Sequence, residues 1–339
     1  MAQQKPKIMV TRRLPEAIES RMATLFDARF NSADRQLDGD AIVAGLAGCD
    51  VLVSSITDRL DSALIARLPE SVRLIAQFGN GFDNIDVEAA YRAGITVTNT
   101  PSVLTEDTAD MAVMLMLALP RRLVEGAQVL PTTGTWPGWS PTWMLGRRLR
   151  GKTLGIVGMG RIGTAVATRA HSLGLNIQYL SRHRRPPQVE EPLGAVYRQR
   201  LDEMLADVDI VSLHTPLTRD TLRILDTAQL AQMRPDAFVV NVSRSELIDE
   251  TALIDRIESG QLAGAALDVF DSHDGVVNPR LLQLAREHRV LLTAHMASAT
   301  LEARIEMGET VIVNIRAFVD GHQPPHRVLA EGMTRGPAG

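Results

Sequence analysis

Short apolar runs alternate with amphipathic stretches along the first hundred residues of the chain. The apolar runs are rich in β-branched residues and predict strands, whereas the stretches between them have the spacing of helices. Strands are predicted at residues 8–11, 51–54, 74–78 and 96–99. Alternating strands and helices build a parallel sheet with helices on both faces, and its ligands bind at the carboxyl ends of the strands. The turn GNG at 79–81 follows one of these strands.

A long helix is predicted from residue 105, because acidic residues occupy its first turn and two arginines lie near its end, as the helix dipole favours. Its centre, MAVMLMLAL, is apolar on every side, so this helix is expected inside a core or at a subunit interface. Residues 134–146 follow without a clear period and contain all three tryptophans, which indicates an arm or a long loop. The apolar helix and the arm together predict a homodimer.

The alternation of strands and helices restarts beyond residue 151. Strands are predicted at residues 153–157, 177–180, 210–213, 238–242, 264–269 and 290–293, and a closing helix at 301–319. Six such strands fit a doubly wound sheet. The predicted fold class is therefore α/β, with two open parallel-sheet domains.

The sequence GMGRIG at 158–163 joins the first of these later strands to a helical stretch, which is the context that a dinucleotide fingerprint requires. Gly158 permits a tight turn and Gly160 lets the backbone approach a pyrophosphate. Gly163 lets the helix pack on the strand, with the phosphates at the helix N-terminus.

In a dinucleotide-binding strand–helix–strand unit, the residues at the end of the second strand determine which coenzyme is preferred. An NAD site has an acidic residue here, about 20 residues beyond the fingerprint, whereas this chain has Ser181 followed by Arg182, His183 and Arg184. No carboxylate would repel a 2′-phosphate, and the guanidinium groups could bind one. We therefore expect NADP(H) to be preferred, with NAD(H) possible. A solvated basic loop is the alternative interpretation.

Composition narrows the class of protein. The chain has 339 residues, 45% hydrophobic and 22% charged, which is typical of a globular protein with two domains. A net charge of −4 argues against nucleic-acid or membrane partners, and the apolar run at 111–119 is too short to cross a bilayer. Cys49 is alone, so neither a disulfide nor a thiolate metal cluster is predicted. We expect a cytoplasmic protein without a metal.

Seven motifs occur in the order of a known family. They are GNGFDNIDVEAA at 79–90, TNTPSVLTEDTAD at 98–110, TWPGWSPTWMLGRRLRGKTLGIVGMGRIG at 135–163, SLHTPLT at 212–218, NVSRSELIDETALI at 241–254, AGAALDVF at 263–270 and AHMASAT at 294–300. The chain resembles the D-isomer-specific 2-hydroxyacid dehydrogenases, particularly their glyoxylate/hydroxypyruvate reductase branch. The resemblance implies a Rossmann NADP-binding domain, residues 102–295, inserted into a flavodoxin-like substrate-binding domain, residues 1–101 and 296–339.

The resemblance also implies catalytic roles. Reduction of an α-keto acid requires a hydride, a proton for the developing alkoxide and a cation for the carboxylate. His295 matches the general acid/base of the family, and Arg244 matches its substrate-binding arginine. Asn80 and Gly81 match the turn whose backbone N–H groups bind the substrate carboxylate.

One part of the family pattern is altered. The glutamate that orients the histidine is missing, and the sequence after Asp268 offers Asp274 or His273 in its place. Asp274 is favoured, because a carboxylate can pair with imidazolium whereas a second histidine would repel it. Ser245 stands where the family has glycine, and it would be strained if its φ were positive.

The remaining site predictions also rest on the resemblance. Cofactor contacts are expected from Thr108, Arg161, Ile162, Thr215, Pro216, Val242 and Asp268, and substrate contacts from Trp139 and Ser298. The predicted function is reduction of small 2-keto acids, glyoxylate and hydroxypyruvate, to D-2-hydroxy acids with NADPH. The alternative is a dinucleotide-sensing, corepressor-like binding protein with little turnover, which only the altered acid loop favours.

Overall fold

The computed structural model describes residues 5–136, 138–273 and 275–329, and the chain divides into two compact units. The first unit contains residues 5–104 and 299–329, and the second contains the described part of 105–298. The junctions follow residues 104 and 298, whereas the resemblance implies junctions after 101 and 295. The second unit is thus inserted in the chain of the first.

The first unit is built on a six-stranded sheet in the order β15-β5-β4-β3-β1-β2, in which only β15 is antiparallel to its neighbour. Its strands are β1 (Lys7–Val10), β2 (Asp27–Phe30), β3 (Val51–Ser55), β4 (Leu74–Phe78), β5 (Thr96–Thr98) and β15 (Arg327–Val328). Its helices are α1 (Glu16–Leu25), α2 (Gly39–Gly45), α3 (Ser62–Ile65), α4 (Val87–Arg92) and α13 (Leu301–Val319).

The central strands of this sheet are buried on both faces, because successive side chains point to opposite sides. Ile8 and Val10 of β1 join one apolar cluster with Ile315 of α13. Met9, between them, joins the other cluster with Ile42 of α2. The continuous apolar runs in the sequence follow from this double burial.

The second unit is built on a seven-stranded parallel sheet in the order β14-β11-β10-β9-β6-β7-β8. Its strands are β6 (Thr153–Val157), β7 (Asn176–Leu180), β8 (Val196–Tyr197), β9 (Ile210–Leu213), β10 (Phe238–Asn241), β11 (Gly264–Leu267) and β14 (Val290–Leu292), and β12 (Ser272–His273) with β13 (Val276–Val277) forms a separate antiparallel hairpin. Its helices are α5 (Thr105–Ala118), α6 (Leu123–Thr133), α7 (Arg161–Ser172), α8 (Pro187–Glu190), α9 (Leu201–Asp207), α10 (Thr227–Ala231), α11 (Glu250–Glu258) and α12 (Pro279–Arg286).

The long apolar helix α5 is mostly covered within its own unit. It packs against α7 and against strands β10 and β11, and most of its apolar residues are buried. The helix ends before Arg122, whose left-handed backbone (φ 52°) separates it from α6. None of the residues of α6 is buried, and Trp139 in the arm that follows is 80% exposed. On this part of the chain, most of the exposed apolar side chains lie on α6 and the arm, whereas in α5 Met114 is the one large apolar side chain more than half exposed.

Most predicted central strands agree with the structure, and those at 74–78, 153–157 and 210–213 agree to the residue. The sequence pattern missed β2, β8 and β15, which are short, partly polar edge strands. An edge strand buries little apolar surface, so it leaves a weak alternation in the sequence.

Candidate cofactor and substrate sites

The loops at the carboxyl edge of the second sheet are joined by backbone hydrogen bonds. The N–H of Gly158, after β6, donates to the carbonyl of Leu180 at 2.8 Å, and the N–H of His214, after β9, donates to Val157 at 2.8 Å. Asp268, after β11, donates to Asn241 at 2.9 Å. This edge, where open parallel sheets bind ligands, therefore contains most of the predicted site residues of the second unit.

The three fingerprint glycines meet three different geometric demands. Gly158 has φ +100°, and a Cβ there would lie 2.7 Å from the carbonyl carbon of His214. At Gly163 a Cβ would lie 2.1 Å from the carbonyl oxygen of Gly158, because helix α7 closes onto the turn. At Gly160 a Cβ would meet nothing within 4 Å. The first and third glycines are required for packing within the protein, whereas the second leaves an open space.

That open space lies at the N-terminus of α7. Gly160 is the N-cap residue and contributes no side chain, and the N–H groups of residues 161–163 donate to no acceptor within the described ranges. Unpaired N–H groups and the positive end of the helix dipole attract an anion. The observed cradle fits the diphosphate of a dinucleotide.

The basic loop after β7 contains two arginines in different environments. The Arg184 guanidinium makes a forked ion pair with Glu190, at 2.8 Å between Nη2 and Oε2 and 3.0 Å between Nε and Oε1. Arg182 is exposed and has no hydrogen bond or ion pair to any described residue. The Ser181 hydroxyl donates to the carbonyl of His183 at 2.6 Å. The sequence does not reveal that Glu190 already binds one of the two cations.

The loop after β9 packs against the glycine turn through the backbone of His214 and Thr215. The His214 Nε2 atom lies 2.8 Å from the Ser212 hydroxyl, and its Nδ1 atom is buried with no partner among the described residues. Burial lowers the pKa of His214 to about 3. This imidazole is therefore neutral at physiological pH and supports the turn from the side of β9. Pro216, predicted to contact the cofactor, follows in the same loop and is exposed.

The loop that contains Arg244 is organised by a buried amide. Asn241 is completely buried, its Nδ2 donates to the carbonyl of Arg244 at 2.7 Å, and its Oδ1 accepts from the N–H of Ser243 at 3.0 Å. The Ser243 hydroxyl donates to the carbonyl of Thr215 at 2.7 Å, which joins this loop to the one after β9. Arg244 is half-buried at the edge of the sheet, and Ser245 does not have positive φ, so the strain considered for it does not arise.

The segment containing His295 is held by Asp268. The Asp268 side chain is completely buried, and its carboxylate accepts from the Thr293 hydroxyl at 2.6 Å and from the N–H groups of Met296 and Ala297 at 2.9 and 2.8 Å. The His295 N–H donates to the carbonyl of Asp268 at 2.8 Å. Three bonds to one carboxylate thus fix both sides of this histidine.

His295 itself is exposed and has φ +50°, a region that only a few per cent of L-residues adopt, with Asn, Asp and His the most frequent among them. Such a conformation costs on the order of 1–3 kcal/mol and persists only where the surroundings determine it. The bonds to Asp268 provide that determination. The sequence predicts that Asp268 lies near the cofactor but does not reveal that it anchors the segment of His295. The motif ALDVF does not indicate which residues the carboxylate will bind after folding.

The predicted acid partner, Asp274, lies outside the described residues. The alternative, His273, is exposed in the hairpin formed by β12 and β13. One carboxylate oxygen of Glu250 accepts from the N–H of Asp271 at 2.8 Å and fixes the start of this hairpin. Burial raises the pKa of Glu250. The choice between Asp274 and His273 stays a prediction.

In the first unit, the turn at 79–81 follows β4. Its first carbonyl accepts from the N–H of Thr100 at 2.9 Å, and its second accepts from Nδ2 of Asn99 at 2.7 Å. The N–H groups of Asn80 and Gly81 donate to no acceptor among the residues that the structure describes. The carbonyls are thus drawn into the protein while the N–H groups stay available to an anion.

A network of buried amides holds the same turn. Gln77 is completely buried and accepts from the Ser54 hydroxyl at 2.7 Å. Its Nε2 donates to the carbonyl of Gly81 at 3.2 Å and to Oδ1 of Asn84 at 2.8 Å. The sequence analysis did not identify Gln77 or Asn84, because buried amides become recognisable only when their partners are known.

The other predicted residues have varied positions. Thr108 is buried within α5, so it does not cap that helix, and Val242 is buried after β10. Ser298 is half-buried and Trp139 is exposed. Arg161 and Ile162 begin α7 beside the open cradle. Their proposed contacts with cofactor or substrate stay predictions.

The described residues provide neither a membrane-spanning helix nor a cluster of metal ligands. No helix there has the length and apolar character needed to cross a membrane. No group of three or more histidine, cysteine or acidic side chains in the same ranges could hold a metal ion.

Residues 113–297 match the family model of the D-isomer specific 2-hydroxyacid dehydrogenase NAD binding domain. The glyoxylate reductase of Thermococcus litoralis is 40% identical over 337 residues, which cover 98% of this chain and 99% of that protein.

Among solved structures, a D-isomer specific 2-hydroxyacid dehydrogenase from Polaromonas has a TM-score of 0.88 at 36% identity, covering 96% of this chain and 100% of that one. The NADPH-dependent glyoxylate/hydroxypyruvate reductase of Sinorhizobium meliloti, in complex with NADP and malonate, has a TM-score of 0.83 at 31% identity, covering 99% and 100%. The glycine turn, the strained histidine and these similarities agree, and the chain belongs to the D-isomer specific 2-hydroxyacid dehydrogenase family of NAD(P)-dependent oxidoreductases.

Proposed function

We propose that this protein reduces small 2-keto acids, glyoxylate and hydroxypyruvate first, to D-2-hydroxy acids with NADPH. The observation that carries the proposal is the Asp268 carboxylate, which holds His295 at the same edge of the sheet as the glycine cradle. An energetically costly histidine conformation held by a buried acid is typical of a residue positioned for chemistry. The glyoxylate reductases at about 40% identity support the substrate class.

Each step is assigned to a group of this chain. A bound nicotinamide dinucleotide supplies the hydride. His295 donates the proton to the developing alkoxide. Arg244 binds the substrate carboxylate through its planar fork, and the N–H groups of Asn80 and Gly81 donate to it as well. Asp274, or alternatively His273, supports the protonated form of His295.

The test of the proposal is turnover of glyoxylate and hydroxypyruvate, measured as loss of the absorbance of reduced nicotinamide. In His295→Asn, kcat is expected to fall by about 10²–10⁴-fold, the usual contribution of positioned proton transfer. NADPH affinity, measured by fluorescence titration, is expected to stay unchanged in this variant. Turnover that is unaffected by this substitution would contradict the mechanism.

The corepressor-like alternative predicts that the wild-type protein binds NADPH and turns over negligibly. The relatives that match over nearly the whole chain are named as enzymes, so this alternative is not favoured. The turnover assay separates the two functions.

Coenzyme preference is proposed from the loop after β7. Arg182 is exposed and has no counter-ion in the described ranges, so it is available to a 2′-phosphate. Arg182→Ala is expected to weaken NADPH binding by about 1.5–3 kcal/mol, the value of a hydrogen bond to a charged group, without changing NADH binding. A wild-type preference for NADH would contradict this part of the proposal.

We also propose a homodimer, in which a second copy covers α6 and the arm. Leu123 and Leu130 of α6 are 61% and 58% exposed, and a globular protein rarely leaves such a helix uncovered. Light scattering is expected to give twice the mass of one chain. The double variant Leu123→Glu/Leu130→Glu is expected to be a monomer, whereas Leu222→Glu, at an exposed leucine outside α6 and the arm, is expected to leave the dimer intact. A wild-type monomer would contradict the proposal.

The cytoplasmic location and the lack of nucleic-acid and membrane partners stay predictions from composition.

A further inference from the structure

A buried tyrosine and a buried glutamate lie beneath the basic loop that follows β7. Tyr179 is completely buried in that strand, and Glu190, the last residue of α8, is 7% exposed. The Tyr179 hydroxyl donates to Oε1 of Glu190 at 2.5 Å and accepts from the N–H of Arg185 at 2.7 Å. Glu190 also binds the fork of Arg184. The loop is therefore fixed at two successive residues.

In this cluster the negative charge of Glu190 is paired with the positive charge of Arg184, and Tyr179 is neutral. Hydrogen bonds from Arg184 and Tyr179 lower the pKa of Glu190, so its carboxylate is ionised at neutral pH. Burial and the neighbouring Glu190 raise the pKa of Tyr179 to about 12, so the phenol stays protonated and keeps donating. The positive charge of Arg184 thus has a counter-ion inside the protein, whereas Arg182 has none among the described residues.

We propose that Glu190 is a positioning residue for coenzyme selection: it holds Arg184 as part of the loop framework, so that Arg182 supplies the charge that binds the 2′-phosphate. The inference rests on the proposed NADPH preference. It assigns different roles to Arg182 and Arg184, which the sequence alone does not distinguish. Glu190 binds Nε and Nη2 of Arg184, which are two of the donors that arginine can offer to a phosphate. While this pair stays intact, Arg184 can meet a phosphate only through its remaining donors, chiefly Nη1, whereas the whole guanidinium of Arg182 is available.

The substitution Glu190→Gln distinguishes the two roles by the direction of its effect. If Arg184 is a direct phosphate ligand, removing its counter-ion frees it and strengthens NADPH binding. If Arg184 is part of the framework, the same substitution loosens the loop, moves Arg182 and weakens NADPH binding. The expected result is a fall of about threefold to tenfold in the ratio of NADPH to NADH affinity.

The experiment is a fluorescence titration of the full-length protein with NADPH and NADH in the absence of substrate. Competition by 2′,5′-ADP and AMP isolates the contribution of the 2′-phosphate. Arg184→Ala, Glu190→Gln and the double variant are expected to lower the affinity ratio by the same factor, because both single changes break one pair. Arg182→Ala is expected to lower it further, by about tenfold or more, with NADH affinity unchanged.

Controls separate positioning from general loss of structure. Glu191→Gln changes an exposed neighbouring carboxylate and is expected to leave the affinity ratio unchanged. Tyr179→Phe keeps the packing and removes the hydroxyl, so it is expected to lower the ratio in the same direction as Glu190→Gln. Thermal melting of each variant identifies any loss of folded protein, and Glu190→Asp, which keeps the charge, is expected to restore part of the ratio.

Tighter NADPH binding by Glu190→Gln, or an unchanged ratio, would overturn the inference alone. Equal affinities of the wild-type protein for NADPH and NADH would overturn the coenzyme proposal, and the inference with it.

Discussion

The two units contain two turns that present backbone N–H groups, and they support these turns by different means. In the second unit, the turn at 158–163 is supported by close backbone packing that only glycine permits. In the first unit, the turn at 79–81 is supported by side-chain amides that draw its carbonyls into the protein. Backbone N–H groups can therefore be presented to an anion in two ways: by glycines that let the backbone pack closely, or by buried side-chain amides that hydrogen-bond to the carbonyls of the turn.

The difference affects how each site can be recognised and disturbed. A support made of glycines leaves a fixed spacing in the sequence and fails when a side chain is added at its first or third glycine. A support made of amides leaves no spacing and fails when one partner is lost, because the others become buried groups without hydrogen bonds.

The largest effect is expected from Gly163→Ala. A Cβ there would lie 2.1 Å from the carbonyl oxygen of Gly158, and backbone cannot move aside cheaply. We expect a loss of about 3 kcal/mol in the free energy of unfolding, measured by urea denaturation, and weak NADPH binding. Gly160→Ala is the matched control, because its Cβ meets nothing within 4 Å. It is expected to cost no more than about 1 kcal/mol of stability, from the loss of an N-cap glycine, while weakening cofactor binding. Equal stability losses in both would refute the assignment of packing to one glycine and ligand space to the other.

At neutral pH, the next largest effect is expected in the first unit, from Gln77→Leu. This change keeps the volume and leaves the Ser54 hydroxyl, the Gly81 carbonyl and Asn84 without their partner. Stability is expected to fall by about 2 kcal/mol. The KM for glyoxylate is expected to rise while NADPH affinity stays the same, because only the turn of the first unit is disturbed. A change in NADPH affinity instead would argue that the supports of the two turns are not independent.

A fall in pH is expected to affect the supports of the two turns differently, because only the support of the second unit includes a group that titrates. His214 has a pKa of about 3 in the folded protein and about 6.5 when unfolded, so between these values the unfolded chain binds a proton that the folded protein does not. Stability is therefore lost as pH falls below 6.5. Relative to His214→Gln, the wild-type protein is expected to lose about 1.4 kcal/mol per pH unit between pH 6 and 4, measured by urea denaturation. The amides of the first unit do not titrate, so the difference between wild type and Gln77→Leu is expected to be constant over this range. Parallel pH curves for wild type and His214→Gln would contradict the buried, neutral imidazole.

The smallest effect is expected from Asn99→Ala. It removes the single hydrogen bond of 2.7 Å to the carbonyl of Asn80 and is expected to lower stability by about 1 kcal/mol. A modest increase in KM for glyoxylate, determined by steady-state kinetics, should accompany it. An effect as large as that of Gln77→Leu would show that the turn depends on Asn99 as much as on the amide network.

Several parts of the site were accessible to sequence reasoning because their chemistry is local. The central strands, the closing helix 301–319 and the glycine turn each have a spacing set by the backbone geometry of one element. The apolar pattern of α5 does not by itself distinguish a subunit interface from burial within one unit, and its packing against α7 covers most of it within its own unit.

The sequence by itself determined the central strands, the long helices, the family and the glycine cradle, because each depends on residues close together in the chain. Only the tertiary structure decided that Glu190 holds Arg184, that Asp268 fixes the strained His295, and that Gln77 holds the turn of the first unit. Asp268 contacts residues 28 and 29 positions further along the chain. The contacts of Arg184 with Glu190 and of Gln77 with Gly81 are short in sequence, but each joins a strand or a helix to a loop whose path only the fold determines. A carboxylate or amide has no preferred partner until folding buries it, and burial then makes its hydrogen bonds obligatory.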